Sequence, residues 1–271
     1  MLIKDHGMSS PVGIDAGTTL WKLVSGTSDF EMKVVPAGDF AAVQRRLDRW
    51  KAHRVFVTGS GADGIATKLG GYSTSIVPEF EAWIHGARLL GKRASQILPK
   101  RHLLVSIGTG TFVLRVDAHR GTPEGGTPIG GGTAMGMARL LRLATSFESL
   151  VSLANAGKRI GVDLLVRDVY GTRGPLDPRF TLSCFGKLQS QDPPDLACAL
   201  MGLIGESVGI LCGQIATATS IKAVVFGGST LNGNRTLRKV LLDSMRRRVQ
   251  QVSFLRHGAF CGAVGAAFWG R

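Results

Sequence analysis

The chain contains two copies of one pattern: a strand, a short turn of small residues and a second strand. The first copy occupies residues 12–16, 17–19 and 20–24, and the second occupies residues 103–107, 108–110 and 111–116. Apolar β-forming residues on both sides of a small-residue turn predict a β-hairpin. Because such turns lack bulky side chains, their backbone N–H groups can cradle an anion. Two cradles in one chain predict that they face each other across a phosphate-bearing ligand, as in a nucleotide-dependent phosphotransferase.

The charge of the chain is strongly positive, at +14 over 271 residues. Such a charge attracts polyanions, including nucleic acids and phosphorylated small molecules. However, the basic residues between 45 and 54 surround an apolar stripe, which is the pattern of an amphipathic helix with a solvated face. The chain also lacks zinc-finger spacing and interleaved aromatic and basic residues. We therefore expect no nucleic-acid partner.

Apolar segments and cysteines indicate where the protein resides. Residues 1–6 lack the apolar run of a signal peptide. The apolar segment 197–218 carries a glutamate, a glutamine and several glycines, so it predicts a buried helix rather than a membrane span. The cysteines lie far apart, at Cys184, Cys198, Cys212 and Cys261. Their spacing predicts free thiols in a cytoplasmic protein, with no membrane partner.

Helix and strand signals alternate along the chain, which predicts an α/β fold. Besides the hairpins, we expect strands at 54–58, 75–77 and 223–226, and helices at 39–52, 79–90, 130–143, 147–156, 162–170, 196–218, 235–250 and 258–267. The segment around residues 29–31 is polar and carries no strand signal. Residues 119–129 and 171–195 are rich in Gly and Pro and predict a loop and a flap, respectively.

Charged residues beside the first turn and at residue 79 suit phosphoryl transfer. Asp15 can orient a magnesium-bound water and Lys22 can neutralise phosphate charge, although an ordinary hairpin with a surface lysine would look the same. Glu79 lies at a predicted strand-to-helix corner and is the candidate general base, since a carboxylate can accept the proton of an attacking hydroxyl. Glu81 is a rival, and a carboxylate that only stabilises the helix start is the alternative.

Three glycine clusters are further candidate sites. Residues 130–132, followed by Thr133 at a predicted helix start, offer free N–H groups to an anion, or else form a flexible loop exit. Residues 227–229 follow a buried strand and allow a ligand to approach the backbone, although a structural turn explains them almost as well. Residues 59–64 match the dinucleotide fingerprint of a Rossmann oxidoreductase, but that interpretation leaves both hairpins unexplained. A complete P-loop and histidines with metal-ligand spacing are absent from the sequence.

Ordered motifs along nearly the whole chain resemble the type II, eukaryotic-like pantothenate kinases of the actin-like ATPase superfamily. The motifs are residues 13–22, 79–82, 107–111, 130–133, 162–170, 225–229 and 258–266. The resemblance implies duplicated ribonuclease H-like lobes, one over residues 1–74 completed by a helix at 258–271, and one over residues 75–257. It implies a homodimer that uses ATP and Mg²⁺ to phosphorylate pantothenate, the first step towards coenzyme A, with coenzyme A or its thioesters as a feedback ligand.

The resemblance also implies a role for each matching residue. Glu79 would be the catalytic base, and Asp15 would hold magnesium through water. ATP would contact Gly17, Thr18, Thr19, Leu20, Trp21, Lys22, Leu23, Val24, Thr109, Gly131, Gly132, Thr133, Ala134, Met135, Phe147 and Ser229. The acceptor would meet Glu79, Thr109 and Arg120.

Two positions depart from the family's pattern. Thr18 stands where the family more often has glycine, but related sugar kinases use a Gly-Thr-Thr turn, so ATP binding is expected to survive. Pro123 stands where the family carries an arginine that holds the pantothenate carboxylate; the nearby Arg120 is its expected replacement. Without a replacement, an uncharged alcohol such as pantetheine would be the better acceptor.

Two alternatives keep the same fold but differ in activity. One is a catalytically weak nucleotide or coenzyme A sensor, which the missing arginine favours and the retained Asp15, Lys22 and Glu79 oppose. The other is an activator ATPase of the dehydratase type, which the scattered cysteines oppose because such activators supply cluster ligands.

Overall fold

The structure is a computed structural model that describes residues 11–26, 29–118, 120–173 and 177–270. The strands are β1 (Val12–Ala16), β2 (Leu20–Ser25), β3 (Glu31–Pro36), β4 (Arg54–Thr58), β5 (Ser73–Ile76), β6 (Arg101–Ile107), β7 (Thr111–Asp117), β8 (Arg120–Thr127), β9 (Leu164–Leu165), β10 (Thr181–Ser183), β11 (Ala223–Gly227) and β12 (Gln251–Phe254). The helices are α1 (Phe40–Arg49), α2 (Ala62–Lys68), α3 (Glu79–Arg93), α4 (Gly131–Leu140), α5 (Phe147–Ala156), α6 (Val166–Tyr170), α7 (Pro193–Ala218), α8 (Arg235–Met245) and α9 (Cys261–Ala267).

Two five-stranded sheets repeat one topology. The first has the strand order β3-β2-β1-β4-β5, and the second has the order β8-β7-β6-β11-β12. In each sheet the first three strands of the chain are antiparallel neighbours. The fourth strand, β4 or β11, pairs in parallel with the first hairpin strand, and the fifth, β5 or β12, pairs in parallel with the fourth. The chain therefore builds one α/β unit twice, as the paired hairpins predict.

Each sheet has its own apolar core. The first core lies between β1, β4, α1 and α2, and the second is formed by β6, β11 and the helices α4, α5, α7 and α8. Among the described helices, α7 alone is long and apolar enough to cross a membrane, but 67% of its most apolar window is buried in the protein. This burial confirms the prediction of a core helix, and Cys198 and Cys212 are both buried on it.

Helices α3 and α9 cross where the two sheets approach each other. Their close contact requires glycine: a Cβ on Gly265 would overlap the carbonyl oxygen of Ala82, and a Cβ on Gly86 would overlap that of Cys261. Helix α9 also packs on β1 and β4, so the C-terminal segment contacts the first sheet. The lobe limits between residues 74 and 75 and between residues 257 and 258 stay a prediction. Strand β5 spans the first limit and pairs with β4 of the first sheet.

Three edge strands were not predicted from the sequence: β3, β8 and β12. The polar segment after residue 29 becomes β3, and the predicted loop 119–129 is largely β8, although His119 lies outside the described residues. Strand β8 pairs with β7 alone and its register shifts opposite Val113 and Leu114. An edge strand with a bulge tolerates the Pro and Gly residues that suggested a loop.

The predicted helix 162–170 is shorter in the structure, where α6 begins only at Val166. Asp163 is fully buried; it accepts a hydrogen bond from Phe185 N at 2.9 Å and lies 3.4 Å from Arg159. Leu164 and Leu165 are extended instead of helical, and as β9 they pair with β10 of the predicted flap 171–195. Two segments with a sequence-based prediction lie outside the described residues. They are residues 1–6, which lack the pattern of a signal peptide, and residues 174–176 of the flap.

Candidate active site

The two hairpin turns meet at Thr109. Its Oγ1 lies 3.0 Å from Thr18 Oγ1 and 2.9 Å from Thr19 Oγ1. Residues of both turns line one cleft of about 750 Å³ between the two sheets. The turns therefore touch at Thr109 and together line a shared cavity large enough for a nucleotide.

The glycines that begin α4 lock the second turn in place. Gly131 N donates to Gly108 O at 2.7 Å, and Gly132 N donates to Thr109 O at 2.9 Å. The expectation that these N–H groups are free for an anion is therefore wrong, because the carbonyls of the second turn already accept them. Glycine is needed here for close approach, since a Cβ on Gly132 would come within 2.6 Å of Thr109 Cγ2.

The loop after β11 joins the same cluster. Thr230 Oγ1 donates to Gly108 O at 2.9 Å, so this carbonyl connects the second turn to both α4 and the loop. Gly228 has φ +108°, and a Cβ there would overlap the backbone of Ile107. Only glycine fits this close approach, which places Ser229 in the cleft lining.

Three charged groups gather at the hairpin end of the cleft. Burial raises the pKa of the Asp15 carboxyl, and the nearby Lys22 ammonium lowers it in part. Burial, and then the negative charge of Asp15, raise the pKa of Glu79, which Lys22 also lowers in part. The Lys22 ammonium lies over the first turn, since a Cβ on Gly17 would be 3.2 Å from Lys22 Nζ. The site thus combines a carboxylate of increased basicity with a cation above a phosphate-sized cradle.

Asp15 fits the requirements of a magnesium ion. It is 5% exposed, and in the part of the chain that the structure describes no group donates a hydrogen bond to its carboxylate. The described residues contain no cluster of three or more His, Cys, Asp or Glu side chains that could cage a metal. Magnesium usually binds one or two carboxylates together with substrate phosphates and water, so a single carboxylate at the cleft suits it.

Most of the predicted site residues line the cleft. These are Asp15, Gly17, Thr18, Thr19, Leu20, Lys22, Glu79, Thr109, Gly131, Gly132, Met135, Phe147 and Ser229. Other predicted residues do not contribute side chains to it: Trp21, Leu23, Val24 and Ala134 are buried in the cores. Thr133 instead supports the α4 start, where its Oγ1 donates to Pro128 O at 3.0 Å.

Arg120 is not brought to the cleft of its own chain. It pairs with Asp117 at one end of β8, whereas Thr127, at the other end, lines the cleft. Seven steps along the extended strand lead from Arg120 to Thr127, a distance of about 23 Å. This corrects the expectation that a rearranged loop carries Arg120 inward, because that segment is a strand.

The aromatic wall beside Glu79 was missed in the sequence. Trp83 and Phe112 both line the cleft, and their rings make a T-shaped contact at 5.2 Å. Trp83 lies one helical turn after Glu79, so the i, i+4 spacing on α3 was a usable signal. Arg139 and Glu148, at the α4 and α5 end of the cleft, were also missed.

The glycines of residues 59–64 have a structural explanation. Gly61 N donates to Ala16 O at 2.9 Å, and a Cβ on Gly59 would come within 2.9 Å of the same oxygen. These glycines allow α2 to start close to the end of β1. The motif does open α2 within a parallel β4–α2–β5 unit, but Gly59 and Gly61 serve the packing of this turn against Ala16.

Known proteins resemble this chain in sequence and in fold. A family model described as Fumble matches residues 91–269. The chain is 31% identical to a type II pantothenate kinase of Bacillus cereus over 273 residues, which cover 97% of this chain and 98% of that protein. It is also 31% identical to the type II pantothenate kinase of Oceanobacillus iheyensis over 261 residues, covering 94% and 97% of the two chains.

A solved structure shows the same fold at low sequence identity. The activator of the 2-hydroxyisocaproyl-CoA dehydratase from Clostridium difficile, with bound ADPNP, superposes with a TM-score of 0.64 at 15% identity over 95% of this chain and 92% of that one. This likeness confirms the predicted actin-like ATPase fold with its duplicated ribonuclease H-like lobes. Together with the full-length sequence similarity, it shows that the chain belongs to the type II pantothenate kinase family.

Proposed function

We propose that this chain is an ATP-dependent kinase that converts pantothenate into 4'-phosphopantothenate, the first step of coenzyme A biosynthesis. The observation that carries the proposal is the joining of both hairpin turns at Thr109, over a cleft that also holds Glu79. Relatives that span nearly the whole chain bear the name of this activity. The ADPNP bound to the activator of similar fold supports ATP as the donor.

The proposed mechanism assigns the proton to Glu79. Its raised pKa makes it a better base than an ordinary glutamate. The acceptor hydroxyl oxygen bonds to the γ-phosphorus, the bond from that phosphorus to the β-phosphate oxygen breaks, and the hydroxyl proton passes to Glu79. Lys22 and the N–H groups of the turns stabilise the charge on the phosphate oxygens. A magnesium ion held by Asp15 through water would neutralise further phosphate charge.

The nucleotide is proposed to lie along the cleft from the turns to α5. Its triphosphate would lie in the cleft beside residues 17–19 and Thr109, which line it together. Its adenosine would lie against Met135, Phe147 and Ser229, which line the other end. An apolar residue and an aromatic ring at that end suit the face of a purine.

The location and partners of the chain are part of the same proposal. The four free cysteines suit the reducing cytoplasm. The exposed apolar residues Val169 and Tyr170, which are 53% and 52% exposed, support a homodimer that covers them. Coenzyme A and its thioesters contain an adenosine diphosphate unit, so they would compete for the adenosine end of the cleft.

The proposal is tested by incubating the chain with ATP, Mg²⁺ and pantothenate and identifying the product by mass spectrometry and ³¹P NMR. We expect a phosphate monoester of pantothenate. Glu79→Gln should abolish turnover while the affinity for ATP changes little. Glu81→Gln is the matched control, because Glu81 is exposed on the same helix and should leave turnover unchanged.

Three outcomes would contradict the proposal in different ways. Turnover of pantetheine but not of pantothenate would identify a kinase of an uncharged alcohol. ATP binding without turnover of any acceptor would indicate a sensor. Unchanged turnover in Glu79→Gln would remove Glu79 from the mechanism.

A further inference from the structure

The cleft wall beside Glu79 is formed by aromatic rings. Phe112 packs edge-on against Trp83 at 5.2 Å with an interplanar angle of 85°, and its ring also lies 5.4 Å from that of Phe80. Phe80 follows Glu79 directly on α3, and Trp83 lies one turn further on the same helix. The aromatic surface therefore adjoins Glu79, the residue proposed to accept the proton of the reacting hydroxyl.

The two rings that line the cleft are held rigidly. Trp83 is 4% exposed and belongs to the core between α3 and α9. Phe112 is the second residue of β7, and its backbone is fixed opposite Ser106 in β6 and Gly126 in β8. A rigid aromatic pair loses little conformational entropy when a ligand packs against it.

The aromatic wall of Phe112 and Trp83 carries no charge of its own. Lys22 and Arg139 are the cations among the described residues that line it. Lys22 lies over the first turn, where the phosphates are proposed to bind, and Arg139 comes from α4 at the opposite end. The wall formed by Phe112 and Trp83 therefore offers apolar contact, whereas Lys22, whose charge also reaches Glu79, is assigned to the phosphates.

We propose that Phe112 and Trp83 form the subsite that selects the acceptor, by packing against the apolar body that carries the reacting hydroxyl. This inference rests on the proposed function. In pantothenate the reacting CH₂OH group is attached to a quaternary carbon with two methyl groups. A hydroxyl that reaches Glu79 brings these methyls against the wall that starts one helical turn away.

The test compares pantothenate with an analogue that lacks both methyl groups, in the wild type and in Phe112 variants. Burying two methyls predicts that the wild type prefers pantothenate by about tenfold in kcat/KM. In Phe112→Ala we expect this preference to fall to about twofold, with the KM for ATP unchanged. Phe112→Leu retains an apolar side chain of similar length and should give an intermediate preference, so it tests the subsite even where the alanine variant folds poorly.

Phe40→Ala is the matched control. Phe40 makes a similar T-shaped contact, at 4.9 Å with Trp21, but it lies in the first lobe away from the cleft lining. It should leave the methyl preference at the wild-type value. An unchanged preference in both Phe112 variants, or no methyl preference in an active wild type, would overturn the subsite. A wild type that phosphorylates neither compound would instead overturn the proposed function.

Discussion

The hydroxyl of Thr109 is the point at which the two lobes touch across the cleft, and Thr109→Val removes it with little change of side-chain size. The lost contacts are the hydroxyl pairs at 3.0 Å to Thr18 and 2.9 Å to Thr19. Both pairs are exposed, so water can replace them, and the free energy of unfolding should fall by no more than about 1 kcal/mol. Thermal or urea unfolding measures this small change.

The effect of Thr109→Val on catalysis should be much larger. A hydroxyl that donates to a charged phosphate contributes about 1.5–3 kcal/mol, and the loss predicts a fall of about 10- to 150-fold in kcat/KM for ATP. Thr109→Ser keeps the hydroxyl and should recover most of the activity. Thr219→Val is the matched control, because its hydroxyl donates to Ile215 O at the far end of α7. A Thr109→Val enzyme within twofold of the wild type would refute the role assigned to this residue.

Two further predictions concern pH and packing. Burial and the charge of Asp15 raise the pKa of Glu79, so the acidic limb of kcat/KM for pantothenate should lie above the ordinary carboxyl value of about 4.3. Glu79 must be ionised to act as a base, and the positive charge of Lys22 lowers the pKa of Glu79. Lys22→Met removes this charge, so the acidic limb of kcat/KM should move to higher pH, and the reaction should also become slower. Gly265→Ala should lower the free energy of unfolding by about 3 kcal/mol or more, measured by urea titration, because its Cβ would overlap Ala82 O.

One outcome would contradict the pH prediction, and one control variant tests the packing prediction. A limb that stays at the same pH in Lys22→Met would show that Glu79 does not govern it. For packing, Gly64→Ala is the comparison, because a Cβ on Gly64 in α2 meets open space. That variant should leave stability unchanged or raise it by up to about 1 kcal/mol. Equal stability of the two alanine variants would contradict the account of the α3–α9 contact.

The sequence predicted the elements whose pattern is local. The helix expected at 147–156 matches α5, where Ser146 accepts a hydrogen bond from Ser149 N at 3.1 Å and so marks the start. The hairpins were predicted because apolar strands flank small turns. The edge strands β3 and β8 were not, since their pairing depends on a neighbouring strand rather than on their own polar or glycine-rich residues.

The candidate site shows the same division. Asp15, Lys22 and Glu79 were predicted because each has a chemical role next to a recognisable motif. The position of Arg120 could not be predicted, since it depends on the course of β8 through the sheet. The hydrogen bond that Gly131 N donates also could not be predicted, because its acceptor, Gly108 O, lies 23 residues earlier in the chain.

Both turns, which touch at Thr109, are proposed to bind one triphosphate in the cleft that they line. A crystal structure with Mg²⁺ and a non-hydrolysable ATP analogue tests it most directly. We expect the β- and γ-phosphates within hydrogen-bond distance of backbone N–H groups in residues 17–19 and of the Thr109 hydroxyl, with the adenine near Phe147. A triphosphate that touches one turn only, or a nucleotide bound outside this cleft, would contradict the account.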